Sequence, residues 1–442
     1  MRGFLFLYIY LRGMKTDTTQ KSASAWLWIP TLYFASGLPY HAITSISDIM
    51  YKDMGIDNAT IALYTSILLI PWTIKPLWSP FVEMVSTRRK WTLYSQIALA
   101  ACFSIVALSI PASGFLTLTL CTFMIGAFVS STHDIALDGF YILGLTQEKQ
   151  SFFSGIRNTF YRIATVFSSG ILVMLANRLA NHFGDNRLAW SATFITTAII
   201  MAALFLYHRK ALPQPKEDIS RNPKNISGIF ESFGDIIKSY FAKPGIASTI
   251  IFLLLFRFPE AQLGKIGKLF LMDSNEAGGL ALSLGEIGFV NGVIGIIGLI
   301  AGGIAGGICI SRKGLKYWLW PMVIAISLPD IVYVYMSMAM PTEISIIGSC
   351  IFIEQLGYGF GFTAYTLYMI YFAQGKYPTA HFAISTAFMS LGMMLPGMIS
   401  GKIQEWLGYE NFFIWVMICT AITFAVSALI KIDAQFGRKR TD

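Results

Sequence analysis

Long apolar runs separated by short polar stretches make up this chain, and that pattern restricts the fold more than any other feature. Only 13% of the 442 residues are charged, and 55% are hydrophobic. Soluble proteins usually carry about 25% charged residues. A membrane-spanning helix needs about 20 mainly apolar residues, and the sequence contains twelve such segments. We therefore predict an all-α membrane protein with twelve transmembrane helices.

The predicted helices form two groups of six, joined by a polar linker. They cover residues 24–46, 59–80, 91–111, 115–140, 152–178 and 189–208, then 245–271, 285–310, 317–338, 343–373, 381–404 and 410–432. The predicted domains are a leader (1–23), a first bundle (24–208), a cytoplasmic linker with a short amphipathic helix (209–244), a second bundle (245–432) and a basic tail (433–442). Two six-helix halves are typical of alternating-access transporters.

The distribution of positive charge predicts the orientation in the membrane. Lys and Arg are concentrated in the loops of one face, and only Lys52, Arg178 and Arg187 fall in loops of the other face. Loops rich in Lys and Arg stay in the cytoplasm, so we predict that both termini are cytoplasmic. The net charge is +9, but the sequence contains no long basic stretch. It therefore indicates topology and membrane lipids as partners, and argues against nucleic acid.

Two related loops lie at equivalent places in the two halves. The first joins Ser79 and Glu83 to Arg88 and Arg89; the second contains Gly307, Ser311, Arg312 and Lys313. The second resembles the loop motif of the major facilitator superfamily, and we predict a gating role for both. The alternative is that these residues supply cytoplasmic loop charge alone. The eighth segment is rich in glycine, and we expect Gly303 and Gly307 to pack against a neighbouring helix backbone.

Charged residues inside the predicted helices are the candidate functional residues. Asp134 and Asp138 end an apolar helix and lie four residues apart, on one helical face, beside His133. An Asp at a helix centre costs about 2.5–3.5 kcal/mol on insertion scales, so this face should line a polar cavity. We expect Asp134 to pair with a basic residue, with Arg162 the first candidate. An alternative interpretation places Asp138 at the membrane interface, where it only ends the helix.

Further intramembrane charges are candidates for proton coupling or for the substrate cavity. They are Lys75 in the second segment, Arg157 and Arg162 in the fifth, Arg257 and Glu260 in the seventh, and Glu354 in the tenth. The alternative for Arg257 and Glu260 is a static ion pair between helices. Lys268 is expected to extend to the outer membrane interface.

The sequence contains no motif that would supply energy or catalysis. The phosphate-binding pattern G-x-x-x-x-G-K-[ST] is absent, the histidines are scattered, and the five cysteines have no metal-ligand spacing. We therefore predict no enzyme activity and no cofactor, with an ion gradient or the substrate's own gradient as the source of energy. Buried carboxylates favour protons as the coupling ion.

Several motifs together resemble one family. They are "LYFASGLPY" (32–40), "IKPLWSPFVE" (74–83), "RRKW" (88–91), "STHDIALDGF" (131–140), "YRIATVFSSG" (161–170), "FRFPEA" (256–261), "FIEQLGYGFGFTAY" (352–365) and "TAHFAISTAF" (379–388). The sequence resembles the AmpG-type muropeptide permeases, a branch of the major facilitator superfamily that is related to acetyl-CoA transporters. The resemblance covers about residues 25–430. In the family an amide precedes the two aspartates; here His133 takes that place before Asp134 and Asp138.

The resemblance implies a function in peptidoglycan recycling. It implies a monomeric, proton-driven importer of anhydro-muropeptides or related amino-sugar oligosaccharides in the bacterial inner membrane. Arg257 and Glu260 would correspond to the family's basic and acidic pair. One alternative keeps the fold and changes the solute to a glycan fragment, a siderophore or a CoA ester. Another alternative, a membrane glycosyl- or acyltransferase, is disfavoured because the loops are short and basic.

Overall fold

The fold is entirely helical in the part of the chain that the structure describes. The computed structural model describes residues 25–145, 147–215, 218, 226–375 and 377–437. These ranges contain helices and no strand, which confirms the predicted class. The predicted leader and the last five residues of the predicted tail lie outside the described residues.

The N-terminal half consists of the helices that precede the linker. They are α1 (Ala25–His41), α2 (Ser47–Asp53), α3 (Asn58–Ile67), α4 (Ile70–Val85), α5 (Arg88–Ser109), α6 (Phe115–Gly144), α7 (Gln147–Val166), α8 (Val173–Phe183) and α9 (Asn186–Ala211). Single π-helical turns, Ala42–Ile46 and Phe167–Leu172, join α1 to α2 and α7 to α8. The amphipathic helix predicted in the linker is α10 (Ile226–Phe241).

The C-terminal half begins after the linker helix. Its helices are α11 (Ile246–Leu255), α12 (Phe258–Met272), α13 (Leu284–Phe289), α14 (Gly295–Lys313), α15 (Leu315–Ser327), α16 (Ile331–Ala339), α17 (Ile344–Ala373) and α18 (Pro378–Leu429). A π-helical turn, Val290–Ile294, joins α13 to α14, and a 3-10 turn, Leu328–Asp330, joins α15 to α16.

Most of these helices are suited to a membrane. Ten helical segments of the described ranges are long and apolar enough to cross one. The segment Ala380–Leu429 has 50 residues and is interrupted at Gly408, where φ is 73°. At about 1.5 Å per residue it is long enough to cross a hydrocarbon core of about 30 Å twice. The chain is thus a multi-pass membrane protein whose helices are consistent with the predicted twelve.

The backbone of the seventh predicted helix breaks in its middle. Between α11 and α12, Arg257 leaves the helical conformation (φ −102°, ψ 20°), and Pro259 occupies the first turn of α12. Proline cannot donate to the preceding turn, and carbonyl groups in a membrane need a partner. Tyr365 donates to the carbonyl of Leu253 at 2.6 Å, and Thr423 donates to that of Phe256 at 3.0 Å. Two other helices therefore stabilise the break.

Glycines allow α14 and α17 to pack backbone against backbone, at Gly302 and at one of the two predicted positions, Gly303. A β-carbon on Gly302 would lie 2.0 Å from the carbonyl oxygen of Leu356. A β-carbon on Gly303 would have no neighbour closer than 3.8 Å, and one on Gly307 would have none within 4 Å in the described structure. A β-carbon on Gly359 of α17 would lie 3.0 Å from the backbone nitrogen of Gly303, so Gly303 packs against a neighbouring helix backbone as predicted. The prediction for Gly307 is wrong in this conformation, because the helix turns Gly302 and Gly303 toward α17 instead.

Candidate functional site between the two halves

The two halves are joined by polar contacts near one end of the molecule, which we call the Lys52 face. Lys52 of α2 forms an ion pair with Asp273, at the end of α12, with a nitrogen–oxygen distance of 2.6 Å. The side-chain amide of Asn58 donates to Gln404 and to the Tyr409 hydroxyl, both at 2.8 Å. These contacts connect the end of α2 and the start of α3 to the end of α12 and the middle of α18.

A buried charge cluster continues this connection toward the membrane centre. Asp48 of α2 is fully buried and pairs with Lys265 at 3.2 Å and Lys268 at 2.9 Å, both on α12. Thr65 also accepts from Lys265, at 2.8 Å. The prediction that Lys268 extends to the membrane interface is wrong, because a buried carboxylate of the other half holds it.

Glycines bring the halves into backbone contact beside this cluster. A β-carbon on Gly292 would lie 2.3 Å from the Ser169 carbonyl oxygen, and one on Gly288 would lie 3.0 Å from that of Gly170. Both contacts join the π-helical region of one half to that of the other. The hydrogen bonds and ion pairs that described residues of the two halves form with each other all lie in this region. The molecule is therefore closed at the Lys52 face.

Asp134 lies on α6, where neutral donors from two other helices hold its carboxylate. The Ser36 hydroxyl donates to one oxygen at 2.6 Å, and the Trp72 indole donates to the other at 3.1 Å. Lys75, one turn beyond Trp72, adds positive charge near both Asp134 and Asp138. The predicted pair with Arg162 is not formed in this structure.

Asp138 is more open than Asp134 and has a basic partner. Its side chain is 51% exposed and lies 3.8 Å from the guanidinium of Arg157. The hydroxyl of Tyr33 donates to Asp138 at 3.5 Å, and the Arg157 guanidinium stacks on the rings of Tyr33 and Tyr141. Two residues of α1 thus contact the two aspartates: Ser36 contacts Asp134, and Tyr33 contacts Asp138.

His133 belongs to a different network from its neighbour Asp134. Its ring is fully buried and contacts the side-chain amide of Gln96 at 3.1 Å. Gln96 also bonds His208 at 3.0 Å, and His208 bonds Thr31 at 2.9 Å. These side chains tie four helices of the N-terminal half together. The structure therefore separates His133 from the cavity to which the sequence assigned it.

Aromatic rings lie between Asp134 and the arginines. Tyr40 and Trp72 form an edge contact with ring centres 5.0 Å apart, and His41 contacts Tyr161 at 5.8 Å. Tyr161 lies close enough to both Asp134 and Arg162 to interact electrostatically with each. The sequence analysis did not predict site roles for Tyr40, His41 and Trp72. In an apolar helix, the sequence does not distinguish an aromatic residue that borders a site from one that only packs against other helices.

Arg257 approaches these aromatic rings from the C-terminal half, close enough to Tyr40 for an electrostatic interaction. Its guanidinium donates to the Tyr358 hydroxyl and stacks on Phe362, 4.8 Å from the ring centre. No ion pair joins it to Glu260 in the described structure, so the alternative of a static pair is not supported here. Arg162 of the N-terminal half interacts electrostatically with the same Tyr358. The structure thus brings the two predicted arginines to one aromatic side chain.

Glu260 and Glu354 lie behind Arg257, together with an unpredicted acid. One oxygen of each, and one of Asp330, lie within 4.8 Å of one another, and all three residues are buried. Asp330 was missed because its "LPD" context is typical of an interhelical turn. The 3-10 turn brings it into the helical bundle.

The two predicted gating loops have different environments. The Arg89 guanidinium donates to the carbonyls of Arg209 and Leu212, at 2.7 and 3.4 Å. Asp218 of the linker accepts the backbone N–H groups of Arg88 and Arg89, at 2.8 and 3.0 Å. These N–H groups have no helical partner at a helix start, so the linker caps α5. The Glu83 side chain lies outside the described atoms.

Among the described residues, the contacts of the second loop are local. Ser311 donates to the carbonyl of Ile308 at 2.8 Å, and the Lys313 ammonium lies 4.5 Å from the ring centre of Tyr317. Arg312 is exposed. The described contacts thus attach the first loop to the linker and leave the second loop within its own half.

Comparisons with known proteins agree with this architecture. The family model of the Major Facilitator Superfamily matches residues 31–401. The anhydromuropeptide permease of Escherichia coli is 24% identical over 416 residues, which cover 93% of this chain and 79% of that protein. A Rickettsia felis protein that bears the name AmpG 4 is 26% identical, over 88% of this chain and 92% of its own length.

Solved structures share the fold at low identity. The D-xylose–proton symporter has a TM-score of 0.70 at 11% identity, covering 93% of this chain and 98% of its own. The nucleoside transporter NupG has a TM-score of 0.65 at 17% identity, covering 92% and 98%. At these identities the likeness concerns the fold alone.

Proposed function

We propose that this chain, which belongs to the Major Facilitator Superfamily, imports anhydro-muropeptides or related amino-sugar oligosaccharides across the bacterial inner membrane, driven by protons. The Escherichia coli relative is named an anhydromuropeptide permease, and that relationship supports the substrate class. The chain acts as a membrane transporter rather than an enzyme.

One structural observation carries the substrate proposal. Between the halves, the carboxylate of Asp134 and the guanidinium groups of Arg162 and Arg257 border the same aromatic surface. Guanidinium groups bind carboxylates through paired hydrogen bonds. Aromatic faces with polar edges suit an amphipathic ring. A muropeptide combines sugar rings with peptide carboxylates, so it offers a complement to the aromatic faces and to the two guanidinium groups.

Asp134 is the proposed proton-coupling residue. Its carboxylate accepts from Ser36 and Trp72 and has no ion-pair partner among the described residues. Protonation would remove its charge and weaken these charge-assisted bonds. The position of α1 and α4 relative to α6 would then depend on the proton. That dependence would link proton movement to the arrangement of the halves.

Movement of the two halves would expose the site to each side in turn. With both termini in the cytoplasm, the closed Lys52 face would be periplasmic, and the structure would represent an inward-facing state. Opening would require separation of Lys52 from Asp273 and of Asp48 from Lys265 and Lys268. These pairs therefore form the proposed outer gate.

The test is uptake by proteoliposomes that contain the purified protein. Radiolabelled N-acetylglucosaminyl-anhydromuramyl peptide is supplied outside, with the pH lower outside than inside, and with or without a protonophore. We expect accumulation that the protonophore abolishes. Equal accumulation without a proton gradient would reject proton coupling. Absence of uptake, alongside uptake of a siderophore or a CoA ester, would reject the substrate class.

A further inference from the structure

The acidic cluster in the C-terminal half has no role in the substrate site described above. Glu260, Asp330 and Glu354 are 7%, 2% and 3% exposed. They come from α12, the 3-10 turn after α15, and α17. Each thus belongs to a different part of the chain, and the fold brings the three carboxyl groups together.

The cluster contains buried oxygen atoms that have no hydrogen-bond donor outside the cluster among the described residues. Both carboxylate oxygens of Asp330 and one of Glu260 are buried without such a donor. Glu354 is held differently, since the Gln355 amide contacts its two oxygens at 3.2 and 2.9 Å. An unpartnered buried carboxylate is costly. Asp330 lies close enough to Glu260 for the two carboxyl groups to share a hydrogen bond, and neither of its oxygens has a donor outside the cluster among the described residues. This arrangement indicates that something positively charged completes the site.

No basic side chain of the described residues completes it. Lys, Arg and His form no ion pair with the three acids there. Arg257 interacts with Glu260 over a longer distance, while its guanidinium is engaged by Tyr358 and Phe362. Ionised together, the three acids would carry more negative charge than one guanidinium offsets, in a medium that disfavours charge.

The spacing of the three oxygens fits a cation. They lie within 4.8 Å of one another, so an ion at the centre would be at most about 2.8 Å from each, close to the range of about 2.3–2.6 Å that Ca²⁺ takes. Na⁺ has nearly the same ionic radius as Ca²⁺. Mg²⁺ requires about 2.0–2.1 Å and near-ideal octahedral geometry, which this three-oxygen arrangement does not offer.

We propose that Glu260, Asp330 and Glu354 bind a hard cation of this size, Na⁺ or Ca²⁺. The site lies at two interruptions of the helical backbone, the break before α12 and the 3-10 turn before α16. Discontinuous helices commonly form ion sites in transporters. Bound cation would offset the charge of Glu260 one turn from Arg257, and so leave Arg257 oriented toward the central space.

The experiment measures ion binding by the purified full-length protein without any substrate. The melting temperature is recorded in NaCl, in CaCl₂ and in choline chloride at equal ionic strength and fixed pH. A ligand that binds the folded state raises its stability in a saturable way. We expect a saturable rise with Na⁺ or with Ca²⁺, and the ion that produces it identifies the occupant.

Asp330→Asn tests the assignment to these residues, and Glu276→Gln is the matched control. Glu276 is an exposed acid of the same half. Asp330→Asn should weaken ion binding at least about tenfold, as even the loss of a supporting group at a metal site does. Glu276→Gln should keep the full response. If Asp330→Asn does not fold, Glu354→Gln, which also conserves the shape of the side chain, replaces it as the test variant.

Direct retention of radiolabelled Na⁺ or Ca²⁺ by the wild-type protein makes the test independent of the variants. If neither ion is retained or raises the melting temperature, while lower pH does raise it, the acids hold protons and the cation site is refuted. The other titratable groups around the cluster are Arg257, Tyr333, Cys350 and Tyr358. The ion-binding experiment contains no muropeptide, so its failure would not contradict the proposed transport function, which the uptake experiment tests separately.

Discussion

At the scale of single residues, Arg257 is the side chain whose chemistry is easiest to separate from folding. It lies at a helix break whose carbonyls other residues satisfy, so its guanidinium is not needed to hold the backbone. Its planar fork can bind a carboxylate through two hydrogen bonds, which an ammonium cannot reproduce.

Arg257→Lys should therefore weaken substrate binding and leave the protein folded. A hydrogen bond to a charged group contributes about 1.5–3 kcal/mol, so we expect the KM for muropeptide uptake to rise about ten- to a hundredfold. Arg178→Lys is the control, because Arg178 is exposed. Equal KM values for wild type and Arg257→Lys would exclude Arg257 from the substrate site.

Sequence reasoning found most of the charged residues of the site and missed their neutral partners. An Asp or Arg in an apolar segment costs free energy to place in a membrane, so such a residue is easily recognised as a functional candidate. Ser36, Trp72 and Tyr161 have no such cost, and only the fold shows that they border Asp134 and Arg162. The pairing of Asp134 with Arg162 could not be predicted correctly, because a carboxylate in a membrane can be satisfied by neutral donors as well as by a cation.

At the scale of helices, the contact between α14 and α17 depends on which glycines face the neighbour. The sequence shows glycines at spacings of three and four, but several faces of α14 carry them. Only the observed rotation distinguishes Gly302, which touches the Leu356 carbonyl, from Gly307, which faces open space.

Gly302→Ala and Gly307→Ala form a matched pair for this contact. A β-carbon at residue 302 would overlap the α17 backbone, and overpacking of this kind typically costs about 1–3 kcal/mol. At residue 307 alanine meets no neighbour and favours the helix. We expect a lower melting temperature for Gly302→Ala only. If the two variants melt at the same temperature, the observed rotation of α14 is incorrect.

At the scale of the whole molecule, the hydrogen bonds and ion pairs between described residues of the two halves are concentrated at the Lys52 face. The Lys52–Asp273 pair is partly buried, with side-chain exposures of 13% and 18%. Removing Lys52 would leave Asp273 with only neutral partners, Asn58 and Tyr409. The closed arrangement would then lose stability relative to one that is open at this face.

Lys52→Ala should therefore increase exposure of the proposed outer gate. Gln404 is buried between the halves, so maleimide labelling of Gln404→Cys, in a background without the native cysteines, reports opening. A loss of about 1 kcal/mol would raise the labelled open fraction about fivefold. Lys402→Ala is the control, since its pair with Glu405 is exposed and local. Unchanged labelling in Lys52→Ala would show that this pair does not hold the gate.

Coupling between Asp134 and the movement of the halves is the central claim, and it concerns the whole molecule. Asp134→Asn keeps the shape of the side chain and removes its ability to take up a proton. Exchange of muropeptide across the membrane needs the moving halves and the substrate site. Accumulation against a gradient also needs the proton. The two activities should separate in this variant.

The most direct measurement compares these two activities in proteoliposomes containing wild type, Asp134→Asn or the surface variant Glu405→Gln. We predict that Asp134→Asn abolishes proton-driven accumulation of labelled muropeptide and retains exchange of labelled for unlabelled muropeptide. Wild type and Glu405→Gln should perform both. Full proton-driven accumulation by Asp134→Asn would contradict the account and assign Asp134 a structural role.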